Sequence, residues 1–142
     1  MLSFSYLIYF HSIMKFFHLA ILRSKWLAIS WFIIMCILFF LPGKDLPEET
    51  PLLALIHIDK LFHIALFAGL YFLWRNAFPS RISNYGFLLL FILIFYGYMV
   101  EVIQKYWIPG RSYDLFDLIA DSTGSITGMI LWVRVYKKNK PL

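Results

Sequence analysis

Residues 26–43 read WLAISWFIIMCILFFLPG, 18 positions without a charge between Lys25 and Lys44. That is close to the roughly 20 residues a helix needs to cross a hydrocarbon core about 30 Å thick. Pro42 and Gly43 then stop the helix. A second run, ISNYGFLLLFILIFYGYMV over residues 82–100, gives 19 more between Arg81 and Glu101. Two shorter runs follow the same grammar: 14 residues from Leu61 to Trp74, and 12 from Ser122 to Val133. Neither crosses a bilayer unless charged residues at its start enter the membrane with it. The second span then begins near His57 with Asp59 inside it, and the fourth near Leu115 with Asp117 and Asp121 inside it. The alternative is a pair of interfacial helices, but both runs are apolar all round rather than amphipathic. The expected fold is all-α, a transmembrane bundle of four spans.

Composition excludes most water-soluble answers. Of 142 residues, 61% are hydrophobic, 20% aromatic and only 15% charged, against about 25% charged in a typical soluble domain. So few charges cannot cover the surface of a small globule, which leaves lipid as the solvent. The net charge of +5 would suggest nucleic-acid binding on a soluble chain. Here the basic residues separate apolar runs, so we read them as topology signals and expect no nucleic-acid partner. Cys36 stands alone, which excludes an intramolecular disulfide and a cysteine-based metal cluster.

Residues 1–22 form a separate hydrophobic extension, and residues 23–142 the membrane domain. Leu2 to Ile13 is apolar and aromatic, with His11, Lys15 and His18 close by. It reads as a fifth span, as an interfacial helix, or as sequence upstream of a start at Met14. No small-residue cleavage site follows, which argues against a removed signal peptide.

Four spans place both ends of the membrane domain on one side. That side carries Lys15, Arg23, Lys25, Arg75, Arg81, Arg134, Lys137, Lys138 and Lys140, against Lys44, Lys60, Lys105 and Arg111 on the other. The positive-inside rule therefore puts both termini in the cytoplasm of a multi-pass cell-membrane protein. All eight acids (Asp45, Glu48, Glu49, Asp59, Glu101, Asp114, Asp117 and Asp121) fall toward the outer side. Acids contribute little to orientation, so another demand places them there.

At 1.5 Å of rise per residue, His63 lies roughly 18 Å above Arg75 and Asp121 roughly 20 Å above Arg134. Asp59 and Asp117 come one turn higher, and Glu101 lies about 24 Å above Tyr85. Three helices thus bring ionisable groups to two adjacent levels. Asp59 and His63 share a face at i, i+4, as do Asp117 and Asp121, while Glu101 and Gln104 stand at i, i+3. The stripe of Asp117 and Asp121 continues through Gly124 and Gly128, a small-xxx-small pattern that admits a close neighbour. An ionisable side chain deep in a membrane helix costs roughly 2.5–3.5 kcal/mol on insertion scales. Such residues face a cavity and pair, here His63 with Asp59 or Asp121, and Arg111 with Asp114 or Asp117.

These residues also carry a family likeness. Asp59-Lys60-Leu61-Phe62-His63 opening a span, Glu101-x-x-Gln104 closing the next, and Gly110-Arg111-Ser112 with Asp117, Gly124 and Gly128 resemble the VanZ-like family. The resemblance runs from about Trp26 to Val133. It implies the four-span topology and a link to envelope-directed antibiotics, since the family is named after an accessory protein of glycopeptide (teicoplanin) resistance. The family commonly has an asparagine after the alanine of the fourth span, where this chain has Asp121 after Ala120.

Three functions fit. In the first, an envelope accessory protein binds the head group of a lipid or cell-wall precursor through Asp59, Lys60, His63, Glu101, Gln104, Arg111, Asp117 and Asp121. Arg111 would hold a phosphate through paired hydrogen bonds, Lys60 would add a point charge, and the acids would receive amines or hydroxyls. In the second, a membrane enzyme uses His63, Glu101 and Asp117 as catalytic groups, or holds a divalent metal with them. No metal or cofactor is assigned on sequence alone. In the third, buried acids and a histidine relay protons in a small transporter, which would have to associate as a homo-oligomer to build a continuous path.

Overall fold

The computed structural model describes residues 21–42, 58–80 and 84–137. The described residues form four helices and no strand: α1 Lys25–Phe40, α2 Ile58–Ala77, α3 Tyr85–Trp107 and α4 Leu115–Lys137. The expectations for residues 1–20, and for the loop bearing Asp45, Glu48 and Glu49, lie outside the described residues.

Local sequence sets the boundaries. Ser24 caps α1, its hydroxyl accepting from the amide of Leu27 at 3.4 Å. That helix ends at Phe40, just before Pro42. Between α3 and α4, Gly110 takes a positive φ of 76°, and the Arg111 amide closes a turn on the Ile108 carbonyl. Asp114 caps α4, its carboxylate accepting from the amide of Phe116 at 2.8 Å.

Contacts give the directions. Ile64 and Ala68 of α2 meet Gly124 and Gly128 of α4 in the same order, so these two helices run parallel. Phe32 and Phe39 of α1 meet Tyr96 and Gln104 of α3, again in parallel. Between α1 and α2 the order reverses, with Trp31 reaching Leu66 and Phe39 reaching His63. The four helices therefore run alternately up and down, and the start of α1 and the end of α4 lie at one end of the bundle.

Polarity is inverted relative to a soluble domain. Glu101, Asp121 and Ser125 are fully buried, and His63 and Gln104 nearly so. Meanwhile Phe62 on α2, Phe87, Phe91 and Phe95 on α3, and Phe116 on α4 are each about 60–70% exposed. The apolar core between these layers joins Met35, Phe39, Phe67, Leu70, Tyr71, Leu89, Leu93 and Val100. By length and composition together, α3 is the one described helix that clearly qualifies to cross a membrane, with mean hydropathy 2.2 over its apolar window. The apolar α1 is shorter, at 16 residues. Both α2 and α4 are long enough but carry charges.

Candidate functional site

Among the described residues the acids gather at one end of the bundle, while cations occupy both, Lys60, Lys105 and Arg111 lying at the acidic end. Lys25, Arg75 and Arg134 lie at one end, Lys25 near the Phe78 ring and Arg75 over the rings of Tyr85 and Trp132. All five described acids, Asp59, Glu101, Asp114, Asp117 and Asp121, lie toward the other.

The acidic end is built in two tiers. In the outer tier the Lys60 ammonium donates to Asp59 at 2.8 Å, to Asp114 at 2.6 Å and to Asp117. A single cation thus holds carboxylates from the start of α2, the cap of α4 and the first turn of α4. In the inner tier His63 Nδ1 faces Asp121 Oδ1 at 2.8 Å, and Nε2 lies 4.0 Å from Asp117 Oδ2. The imidazole also lies against the Phe39 ring, with centroids 4.7 Å apart and the planes tilted by 35°. Glu101 enters from α3, its Oε2 accepting the Asp114 amide at 2.9 Å.

The expected matching of depths therefore holds: His63 meets Asp121, and one turn above Asp59 and Asp117 share the Lys60 ammonium. Of the two partners expected for His63, the structure brings Asp121, while Lys60 takes Asp59. One expected pairing is corrected. Arg111 does not pair with Asp114 or Asp117, because Lys60 lies between those acids and satisfies both. The Arg111 Nε is buried without a hydrogen-bond partner. Lys60, read from sequence as a charge offered to a phosphate, is already surrounded by three carboxylates. Gln104 spends its amide on α1, donating to the Phe39 carbonyl at 2.9 Å, one of the helix-end carbonyls that need a partner.

Sequence reasoning missed Asp114 as a member of the site. Its amide holds Glu101, one oxygen caps α4 and the other takes Lys60. The signal was present, since an aspartate directly before an apolar run is a helix-start signature. Lys60 holds the Asp114 carboxyl below its ordinary value of 3.8 chiefly through their hydrogen bond. A depressed folded-state value contributes stability that is complete above the unfolded value and is lost as pH falls through the folded one. The stability advantage of wild type over Asp114→Asn should therefore be constant near neutrality and shrink below about pH 4. Thermal melts in detergent across that range would check it.

At the basic end, Tyr71, Arg75, Asn84, Gly86, Phe87, Met129, Trp132 and Val133 line a cavity of about 330 Å³. Tyr71 donates to the Gly86 carbonyl and Trp132 to Asn76. No sequence signal marked it, because its lining comes from three separate helices and carries no cluster of ionisable residues.

The VanZ/LLP1 family model matches residues 2–136. The chain belongs to the VanZ/LLP1 family. No curated protein and no solved structure matches it. The match covers nearly the whole chain, including the four helices but for the last residue of α4, and both tiers of the acidic end.

Proposed function

We propose that this VanZ/LLP1 protein is a multi-pass cell-membrane protein of four spans with both termini cytoplasmic. Its outer end binds the head group of an envelope lipid or lipid-linked cell-wall precursor. Three features support the membrane reading: the inverted polarity, the alternating helix directions, and the basic residues Lys25, Arg75 and Arg134 at the end shared by the start of α1 and the end of α4. Length supports it as well. At 1.5 Å per residue, the 20 residues of α2 and the 23 of α4 reach at least about 30 Å. The charges of α2 and α4 cluster near their ends or face partners inside the bundle.

The observation that carries the head-group reading is the buried, unpartnered Nε of Arg111, in the turn that closes the acidic end. A guanidinium with free donors suits a phosphate, and the surrounding carboxylates suit the amines and hydroxyls of the same head group. Lys60, already neutralised, contributes shape rather than charge. Any role in glycopeptide resistance would follow from holding such an envelope molecule.

Native mass spectrometry of protein extracted in mild detergent would test this. Wild type should retain a phosphate-bearing lipid, and Arg111→Glu should lose it by at least tenfold with an unchanged melting temperature. Equal lipid retention by the two proteins would remove the basis for the proposal.

A further inference from the structure

Beneath the head-group tier, we propose a divalent transition-metal site formed by His63, Glu101 and Asp121. Each offers one ligand atom, and these three atoms lie within 4.8 Å of one another although they come from α2, α3 and α4. All three residues are buried, Glu101 and Asp121 completely.

The second, independent observation is a pair of oxygens with nothing to bond. Glu101 Oε1 and Asp121 Oδ2 are both buried and both lack a hydrogen-bond partner. Each carboxylate uses its other oxygen, Glu101 on the Asp114 amide and Asp121 on His63. A buried acceptor left unpaired is rare enough in folded proteins to require a cause, and an ion is one of the few that qualify. Asp121 Oδ2 sits against Gly97, where a Cβ would come within 2.9 Å of it. Gly97 lies one turn before Glu101 on α3, so the free oxygen of Asp121 faces the helix that supplies Glu101.

Charge points the same way. Five carboxylates occupy this end, and Lys60 is consumed by three of them. If protonated, His63 offsets Asp121 and leaves Glu101 buried without a counter-charge, a costly arrangement. A dication bound by a neutral imidazole and two carboxylates removes that imbalance.

The ligand set names the metal class. One nitrogen and two oxygens suit zinc or manganese, whereas calcium and magnesium prefer oxygen alone. A metal-bound histidine also needs its second nitrogen anchored. Nδ1 faces the ligand Asp121 at 2.8 Å, and Asp117 is the carboxylate next to Nε2, 4.0 Å away, where a small closure would let it serve as the anchor. This site does not depend on which head group binds above it.

The test uses full-length, tag-free protein in detergent, stripped with a chelator and dialysed against Zn²⁺ or Mn²⁺. Elemental analysis should find about one ion per chain. Glu101→Gln and Asp121→Asn should each weaken binding by about a hundredfold or more, above the usual loss from outer-shell changes. Arg134→Gln, near the end of α4 remote from the site, should leave binding unchanged. The Co²⁺-loaded wild type should show visible absorption bands that Asp121→Asn lacks. Glu101→Gln removes a buried carboxylate without a counter-charge and should fold at least as well as metal-free wild type, whereas Asp121→Asn gives up the pairing with His63, so its binding is compared at a temperature below its own melting point. Failure of wild type to retain either ion overturns the proposal whatever the variants do. So does retention that survives both substitutions, or binding of Ca²⁺ in preference to Zn²⁺ and Mn²⁺.

Discussion

Lys60→Met should be among the most destabilising single substitutions in this protein, at about 2–4 kcal/mol. The ammonium is the shared partner of Asp59, Asp114 and Asp117. Without it, three carboxylates face each other across the junction of α2 and α4. Breaking a buried ion pair from one side costs about 3–5 kcal/mol, because a charge is left uncompensated. The figure is set lower here because the Asp59 and Asp114 side chains keep 40% and 37% of their exposure and are screened by solvent. Asp117 keeps only 14%, so the loss should concentrate there. Unfolding of the purified variant in detergent would measure it, and adding Asp117→Asn should recover a substantial part. A double-mutant cycle isolates that coupling. If the double variant is no more stable than Lys60→Met, the tier is not held by this charge pairing.

How much of this was legible beforehand depended on the kind of spacing involved. Helix periodicity reads distances along one chain segment. It therefore placed Asp117 with Asp121 on one face, and counting from the basic ends put His63 level with Asp121. It also placed the close-packing stripe, since Gly124 and Gly128 are one turn apart. Pairing between helices is a different matter, because it depends on rotation about each helix axis and on which long side chain arrives first. Lys60 was the decisive case. Its four-carbon stem reaches Asp114 and Asp117, 54 and 57 positions away, and takes the partners that Arg111 would otherwise have had. Asp121 was legible as an acid facing inward, but its free oxygen opposite Glu101 was not. That juxtaposition is fixed by the missing side chain at Gly97, a position that reads in sequence as one more small residue in an apolar run.

Gly128→Val should separate α2 from α4 and cost about 3 kcal/mol, the upper end for inserting carbon atoms into a packed interior. A Cβ at Gly128 would lie 2.5 Å from the Ala68 carbonyl oxygen and 2.8 Å from the Tyr71 Cβ. At Gly124 it would lie 2.9 Å from the Phe67 Cβ and would also strike the Ile64 carbonyl. The obstacles are backbone or backbone-proximal atoms, so no rotamer change relieves them, and the helices must move apart. Gly69 makes an instructive contrast. A Cβ there meets the Trp31 ring at 2.6 Å, but the obstacle is a side chain on α1, so Gly69→Ala should disturb α1 and leave the contact of α2 with α4 in place. Moving α4 outward carries Asp117 and Asp121 away from Lys60 and His63, which α2 supplies. Gly128→Val should therefore weaken both tiers, although it lies seven residues beyond Asp121 and touches no polar group of the site. Thermal unfolding would give the stability loss, and zinc retention would report the inner tier. Undiminished stability in Gly128→Val would mean that α2 and α4 do not pack at this distance, and the geometry of both tiers would fall with it.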